Sequence, residues 1–86
     1  MVFEINLQTV KDLVTADSFA LAVIDLDVLI AQVEVHYATL LPGAKAEWED
    51  TRLELGHAKS HLSAAALATD GQKQACLNAL NRITVI

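Results

Sequence analysis

Glu54, His57 and His61 fall in the pattern E-x-x-H-x-x-x-H. An α-helix advances about 100° per residue, so side chains at these spacings share a face within about 60°. A carboxylate and two imidazoles suit zinc or iron, which makes this trio the candidate metal site. Cys76 is the only thiol. A cysteine nucleophile needs a base and an electropositive setting. The histidine nearest in sequence, His61, belongs to a different expected helix, and Cys76 itself falls on an apolar stripe, so the expectation is burial as a small hydrophobe. No Ser-His-Asp arrangement, glycine-rich phosphate loop or zinc-finger spacing occurs in the chain.

The Glu54/His57 pair resembles half of the carboxylate site in di-iron helical bundles, where facing helices each contribute ligands. That resemblance implies an inward-pointing site, doubled by a second copy or completed by Glu34 or His36. The trio instead faces away from the apolar stripe of its own helix, and no second Glu-x-x-His occurs. Charged and imidazole side chains at three- and four-residue spacing also serve simply to solvate a helix face. The expectation is therefore no cofactor, with the metal-binding bundle kept as the alternative.

The segment that must position everything else is Ser18 to Leu41, SFALAVIDLDVLIAQVEVHYATLL. Phe19, Val23, Leu26, Ile30, Val33, Tyr37 and Leu40 alternate steps of four and three and so form one stripe. Leu21, Ile24, Val28, Ala31, Val35 and Ala38 form a second stripe, roughly 160–180° away. Asp27 and Glu34 occupy one gap between the stripes; Asp25, Gln32, His36 and Thr39 occupy the other. A helix apolar on two opposite sides needs two covers. Leaving the second stripe wet forgoes roughly 1.5–3 kcal/mol for each large side chain. Either the short helices of the same chain fold over it, or another chain does.

Around this segment the punctuation is clear. Val2–Ile5 reads as a stub of strand or a packed tail, and a short helix from Val10 to Ala16 follows, with Thr9 and Asp12 resembling a capping box. Asp17 or Ser18 is the expected N-cap of the long helix. Pro42-Gly43 ends it, and a returning helix from about Ala44 to Ala68 makes an antiparallel hairpin. Its stripe is Ala44, Trp48, Thr51, Leu55, Ala58, Leu62 and Ala65. Gly56, costly in a helix interior, signals either a close approach or mere tolerance. Asp70-Gly71 marks the start of a last helix running to about Ile83, with Cys76, Leu80 and Ile83 on one side. The apolar ending Ile83-Thr84-Val85-Ile86 is expected to pack, beside the Val2–Ile5 segment. Tyr37 and Trp48 fall near the hairpin turn, in core positions that also suit an anchor for a partner.

Eighty-six residues with 53% hydrophobic content, one proline and three glycines favour a single helical domain, residues 1–86. A chain this short buries only about 60–65% of its extended surface. The net charge of −5, with no Lys or Arg between Lys11 and Lys45, gives no electrostatic reason to bind nucleic acid or an anionic membrane. No basic, apolar leader opens the sequence, and acids interrupt its greasiest run, so neither a signal peptide nor a membrane span is expected. A cytoplasmic setting fits the lone cysteine.

The fold expected is all-α: an antiparallel hairpin of two long helices with short flanking helices, assembling as a dimeric four-helix-type bundle. The function expected is that of a small acidic protein-binding module, an adaptor, inhibitor or regulatory subunit without catalysis. Its partner is another protein or a second copy. The interface expected comprises Leu21, Ile24, Val28 and Val35, with Asp25, Asp27 and Glu34 at the rim to select a basic partner.

Overall fold

The computed structural model describes residues 3–63 and 69–86. Among these are four helices and no strand: α1 Glu4–Thr15, α2 Phe19–Ala38, α3 Pro42–Ser63 and α4 Asp70–Asn81. The hairpin of two long helices with short flanking helices is thus present within one chain. Each helix packs on the next in sequence, and α1 closes the ring by meeting α4. One chain alone therefore surrounds a core with four helices.

The register of the α2–α3 hairpin is marked by polar pairs along its seam. Tyr37 bonds Glu49, Glu34 pairs with Arg52, and Asp27 pairs with Lys59. As one partner steps back along α2, the other steps forward along α3, as an antiparallel pair requires. The core holds Leu26, Leu29 and Val33 of α2, Leu55, Ala58 and Leu62 of α3, Val10 and Val14 of α1, and Cys76, Ala79 and Leu80 of α4, all almost fully buried. Thr51 is buried too, and its hydroxyl donates to the Val85 carbonyl, so the polar position in the α3 stripe is satisfied.

Several expected boundaries shift for identifiable reasons. The first helix starts at Glu4 rather than Val10, so no strand stub forms over the described part of Val2–Ile5. Phe3, Leu7, Val10 and Val14 step by four, three and four, and that stripe carries the helix to the core. Thr9 is accordingly inside the helix, its hydroxyl donating to the Ile5 carbonyl rather than capping an end. At the other end of α1, the Asp17 amide bonds the Val14 carbonyl and the Ser18 amide bonds the Leu13 carbonyl. This is a Schellman closure, with Asp17 at the left-handed position, φ 61°. Ser18 is the N-cap residue of α2, but its side chain makes no capping bond. The last helix is capped by Thr69, not Asp70. Thr69 accepts from the Gln72 amide while the Gln72 side chain accepts from the Thr69 amide, a reciprocal capping box.

The chain's apolar ending packs as expected. Ile83 and Ile86 are buried, and the Phe3 amide donates to the Ile86 carbonyl at 3.3 Å. Phe3 also stands edge-on to His36 and Trp48, whose rings lie 4.6 Å apart. This aromatic cluster closes the pole where Phe3 and Ile86 meet. At the opposite pole Lys73 donates to the Thr15 carbonyl and pairs with Asp17 at 2.7 Å, tying the start of α4 to the end of α1. Gly56 is exposed, and a Cβ there would meet nothing within 4 Å. No close approach explains it; the helix simply tolerates it. The expected continuation of α3 to Ala68, with Ala65 in its stripe, lies outside the described residues.

Candidate functional site

α2 touches α3 on one flank and α1 on the other, and this decides which of its residues are covered. The first stripe is partly as expected: Leu26 and Val33 are buried, while Phe19, Val23, Ile30, Tyr37 and Leu40 are half-buried. Ala22 and Leu29, which belong to neither expected stripe, are fully buried. Contact with two neighbouring helices widens the covered arc and turns it towards α1. Neither short helix buries the second stripe, although α1 borders it through Asn6 and Thr9. Leu21, Ile24, Val28 and Val35 are 57%, 58%, 52% and 70% exposed, and Ala31 and Ala38 between them are exposed as well.

The three acids of the expected rim part company. Arg52 grips Glu34 with two parallel hydrogen bonds, Nε to Oε1 at 2.8 Å and Nη2 to Oε2 at 3.0 Å, and its guanidinium lies 4.0 Å from the centre of the Tyr37 ring. The hydrogen bond from Arg52 lowers the Glu34 pKa, and its counterpart raises that of Arg52. Tyr37 donates to Glu49, which raises the tyrosine pKa. Asp27 lies 2.7 Å from Lys59. Asp27 and Glu34 are therefore engaged with α3 of their own chain, which alters their expected part as free selectors of a basic partner. The α2–α3 register that pairs them could not be read from either helix separately. Asp25 lies on the other flank, lining a cavity of about 160 Å³ with Asn6, Thr9, Val28, Leu29 and Gln32. The Asn6 amide bridges to the Gln32 side chain at 3.0 Å.

Beyond that cavity, towards the aromatic pole, the α1–α2 junction opens into a shallow apolar groove of about 540 Å³. Phe3, Ala31, Gln32, Val35, His36 and Thr39 line it. Sequence reasoning did not anticipate this groove. Its one sequence signal is Ala31, a small residue in a stripe that begins with Leu21 and Ile24.

The candidate metal trio is dispersed among other duties. Glu54 is a partner of Arg82 across the α3–α4 seam, and the His57 Nδ1 lies 3.3 Å from its other oxygen. Desolvation pushes the Glu54 pKa up, but the hydrogen bonds from Arg82 and His57 outweigh it and leave it lowered. His61 makes no ion pair with this couple, and no group of three or more potential ligands converges among the described residues. Cys76 is fully buried, and desolvation raises its pKa to about 11, which leaves little thiolate at neutral pH. The buried polar side-chain atoms among the described residues all have partners. No helix among them is long and apolar enough to cross a membrane.

No known protein family, curated protein or solved structure matches this chain. The functional reading therefore rests on the geometry of α2.

Proposed function

We propose that this protein is a non-catalytic protein-binding module, an adaptor, inhibitor or regulatory subunit, that self-associates through the outer face of α2. The observation that supports this reading is one uninterrupted apolar ridge, Leu21-Ile24-Val28-Val35, more than half exposed at every large residue. An exposed apolar patch flanked by polar residues is the usual mark of an interaction surface. Isolated exposed apolar residues elsewhere, such as Ile5 and Leu53, call for no such account. Nor does anything among the described residues favour the metal reading, since Glu54 is held by Arg82.

The test is light scattering over a wide concentration range on the parent and on Val28→Glu. The parent should pass reversibly from monomer to dimer. Val28→Glu should stay monomeric with unchanged helicity, because Val28 is more than half exposed in the monomer. Raising the salt concentration should tighten the parent dimer, because each copy carries −5 and salt screens their repulsion. A parent that remains monomeric throughout overturns the self-association. So does a dimer that Val28→Glu leaves intact.

A further inference from the structure

Three acids of α2 were expected at the rim of its outer face, and Asp25 alone of them stays unpaired. Glu34 is held by Arg52 and Asp27 by Lys59, whereas Asp25 makes no hydrogen bond or ion pair among the described residues. It is half-buried and lines the cavity of about 160 Å³ at the α1–α2 junction, with Asn6, Thr9, Val28, Leu29 and Gln32. We infer that this cavity is a binding site for a primary alkylammonium group, the head of a small amine or of a lysine side chain. The site belongs to the single chain and does not depend on self-association.

The hydrogen-bonding capacity left over in the lining selects such a ligand. The Thr9 hydroxyl gives its one proton to the Ile5 carbonyl, so towards a ligand it can only accept. Asn6 Nδ2 donates to Gln32 Oε1 at 3.0 Å. That bridge occupies one donor and one acceptor and leaves each amide able both to donate and to accept, so the amides favour no particular charge. The bias comes from Thr9 and from the Asp25 carboxylate, which is an acceptor only and carries a charge. An ammonium brings three N–H donors, no acceptor and the compensating charge. An anion would be repelled by Asp25, and a neutral hydroxyl would leave its charge uncompensated. The two accepting side chains come from different helices, Thr9 from α1 and Asp25 from α2. Donors that radiate from one nitrogen suit this better than the flat fork of a guanidinium, which matches a single carboxylate.

Size and wall chemistry agree with this choice. Val28 and Leu29 give the cavity an apolar side, along which an alkyl stem lies while its charged head stays among polar groups. One water takes about 30 Å³ of the liquid, so a cavity of about 160 Å³ holds more than a single water. It is also smaller than the roughly 300 Å³ at which pockets for drug-sized ligands begin. An ammonium on a short alkyl chain fits between these limits. A calcium ion does not suit the lining, because it takes about 6–8 oxygen ligands, and no group of three or more potential metal ligands gathers among the described residues.

The experiment is an NMR titration of the isotopically labelled full chain with n-butylammonium chloride, with n-butanol and sodium chloride as controls at the same concentrations. The amides of Asn6, Thr9, Asp25, Val28 and Gln32 should shift together and saturate with n-butylammonium, and should stay in place with either control. Asp25→Asn should weaken binding about tenfold, as expected for the loss of a charge-assisted hydrogen bond, and Thr9→Val should weaken it by a smaller factor. Asp27→Asn removes the same charge from the same helix and should leave the affinity unchanged. Helicity measured on each variant confirms folding. Shifts spread over all the surface acids, or equal weakening by Asp25→Asn and Asp27→Asn, would reduce the effect to charge screening and overturn the site. No saturable shift with n-butylammonium would overturn it as well. Nα-acetyl-lysinamide separates the two sources of the ligand. If it shifts the same amides, the cavity accepts a lysine carried on a protein chain; if n-butylammonium alone does so, the occupant is a free amine.

Discussion

The two long faces of α2 are built from the same residue types and meet opposite surroundings. Leu29 is fully buried, while Val28, its neighbour in sequence, is 52% exposed. Leu26 is buried and Ile24 is open. Hydrophobicity alone does not separate these residues. The separation comes from where α1 and α3 dock, and they dock where the seams carry complementary polar pairs: Asn6 with Gln32 on one side, Glu34 with Arg52 and Asp27 with Lys59 on the other. An apolar stripe thus states that something covers it, and the polar pairs beside it mark which element of the same chain does so.

The sharpest way to break this comparison is truncation on the two faces. Leu29→Ala should cost about 2–5 kcal/mol through lost burial and a cavity, whereas Val28→Ala should change monomer stability by less than about 0.5 kcal/mol. Urea unfolding of dilute protein measures both. Equal costs would mean that the outer face belongs to the core after all. Next in size is Gly56→Ala, which should stabilise the chain by about 0.8–1 kcal/mol from helix propensity alone, since the added methyl meets nothing within 4 Å. A loss of stability there would reveal a contact on the outer surface of α3.

The α2–α3 seam is probed by pH. Glu34 has a lowered pKa in the folded chain, so its contribution is present above the ordinary glutamate value of 4.5 and is lost as the pH falls through the folded value. Stability should decline in acid, and Glu34→Gln should make that decline shallower. Because the pair is solvent-exposed, its contribution at neutral pH is small and should shrink in high salt. If Glu34→Gln leaves both the acid profile and the salt response unchanged, the paired acids do not hold α3 in place.

Much of this architecture is legible in the sequence, and the rest is hidden for definite reasons. The α2–α3 hairpin, the α3 stripe through Trp48, Leu55 and Leu62, and the packed ending at Ile86 follow from periodicity and turn chemistry, although the turn itself falls at residues 39–41 and Pro42-Gly43, expected to form it, open the first turn of α3, where proline is well tolerated. So does the second apolar stripe of α2. The start of α1 was concealed because Val2–Ile5 is locally β-branched and apolar, although Phe3, Leu7, Val10 and Val14 carry the helical rhythm. Asp17 at a left-handed position is unusual for a non-glycine residue, and its Schellman closure needs backbone geometry to be seen. The duties of Asp27, Glu34 and Glu54 depended on the register between helices. Each looked like a free carboxylate on its own helix, and each is a clasp to another.

The bond between the Phe3 amide and the Ile86 carbonyl makes the fold nearly a closed loop of chain. A linker of a few residues could join these ends without straining any helix. New ends could then be cut beside Leu41, which is exposed and lies between the end of α2 and the start of α3 at Pro42. The permuted order would start with α3 and α4, pass through the linker, and finish with α1 and α2. It would convert the Tyr37, Glu34 and Asp27 clasps from contacts within a hairpin into contacts between the two extremities of the chain, where their strength would be tested with no turn to hold the helices together.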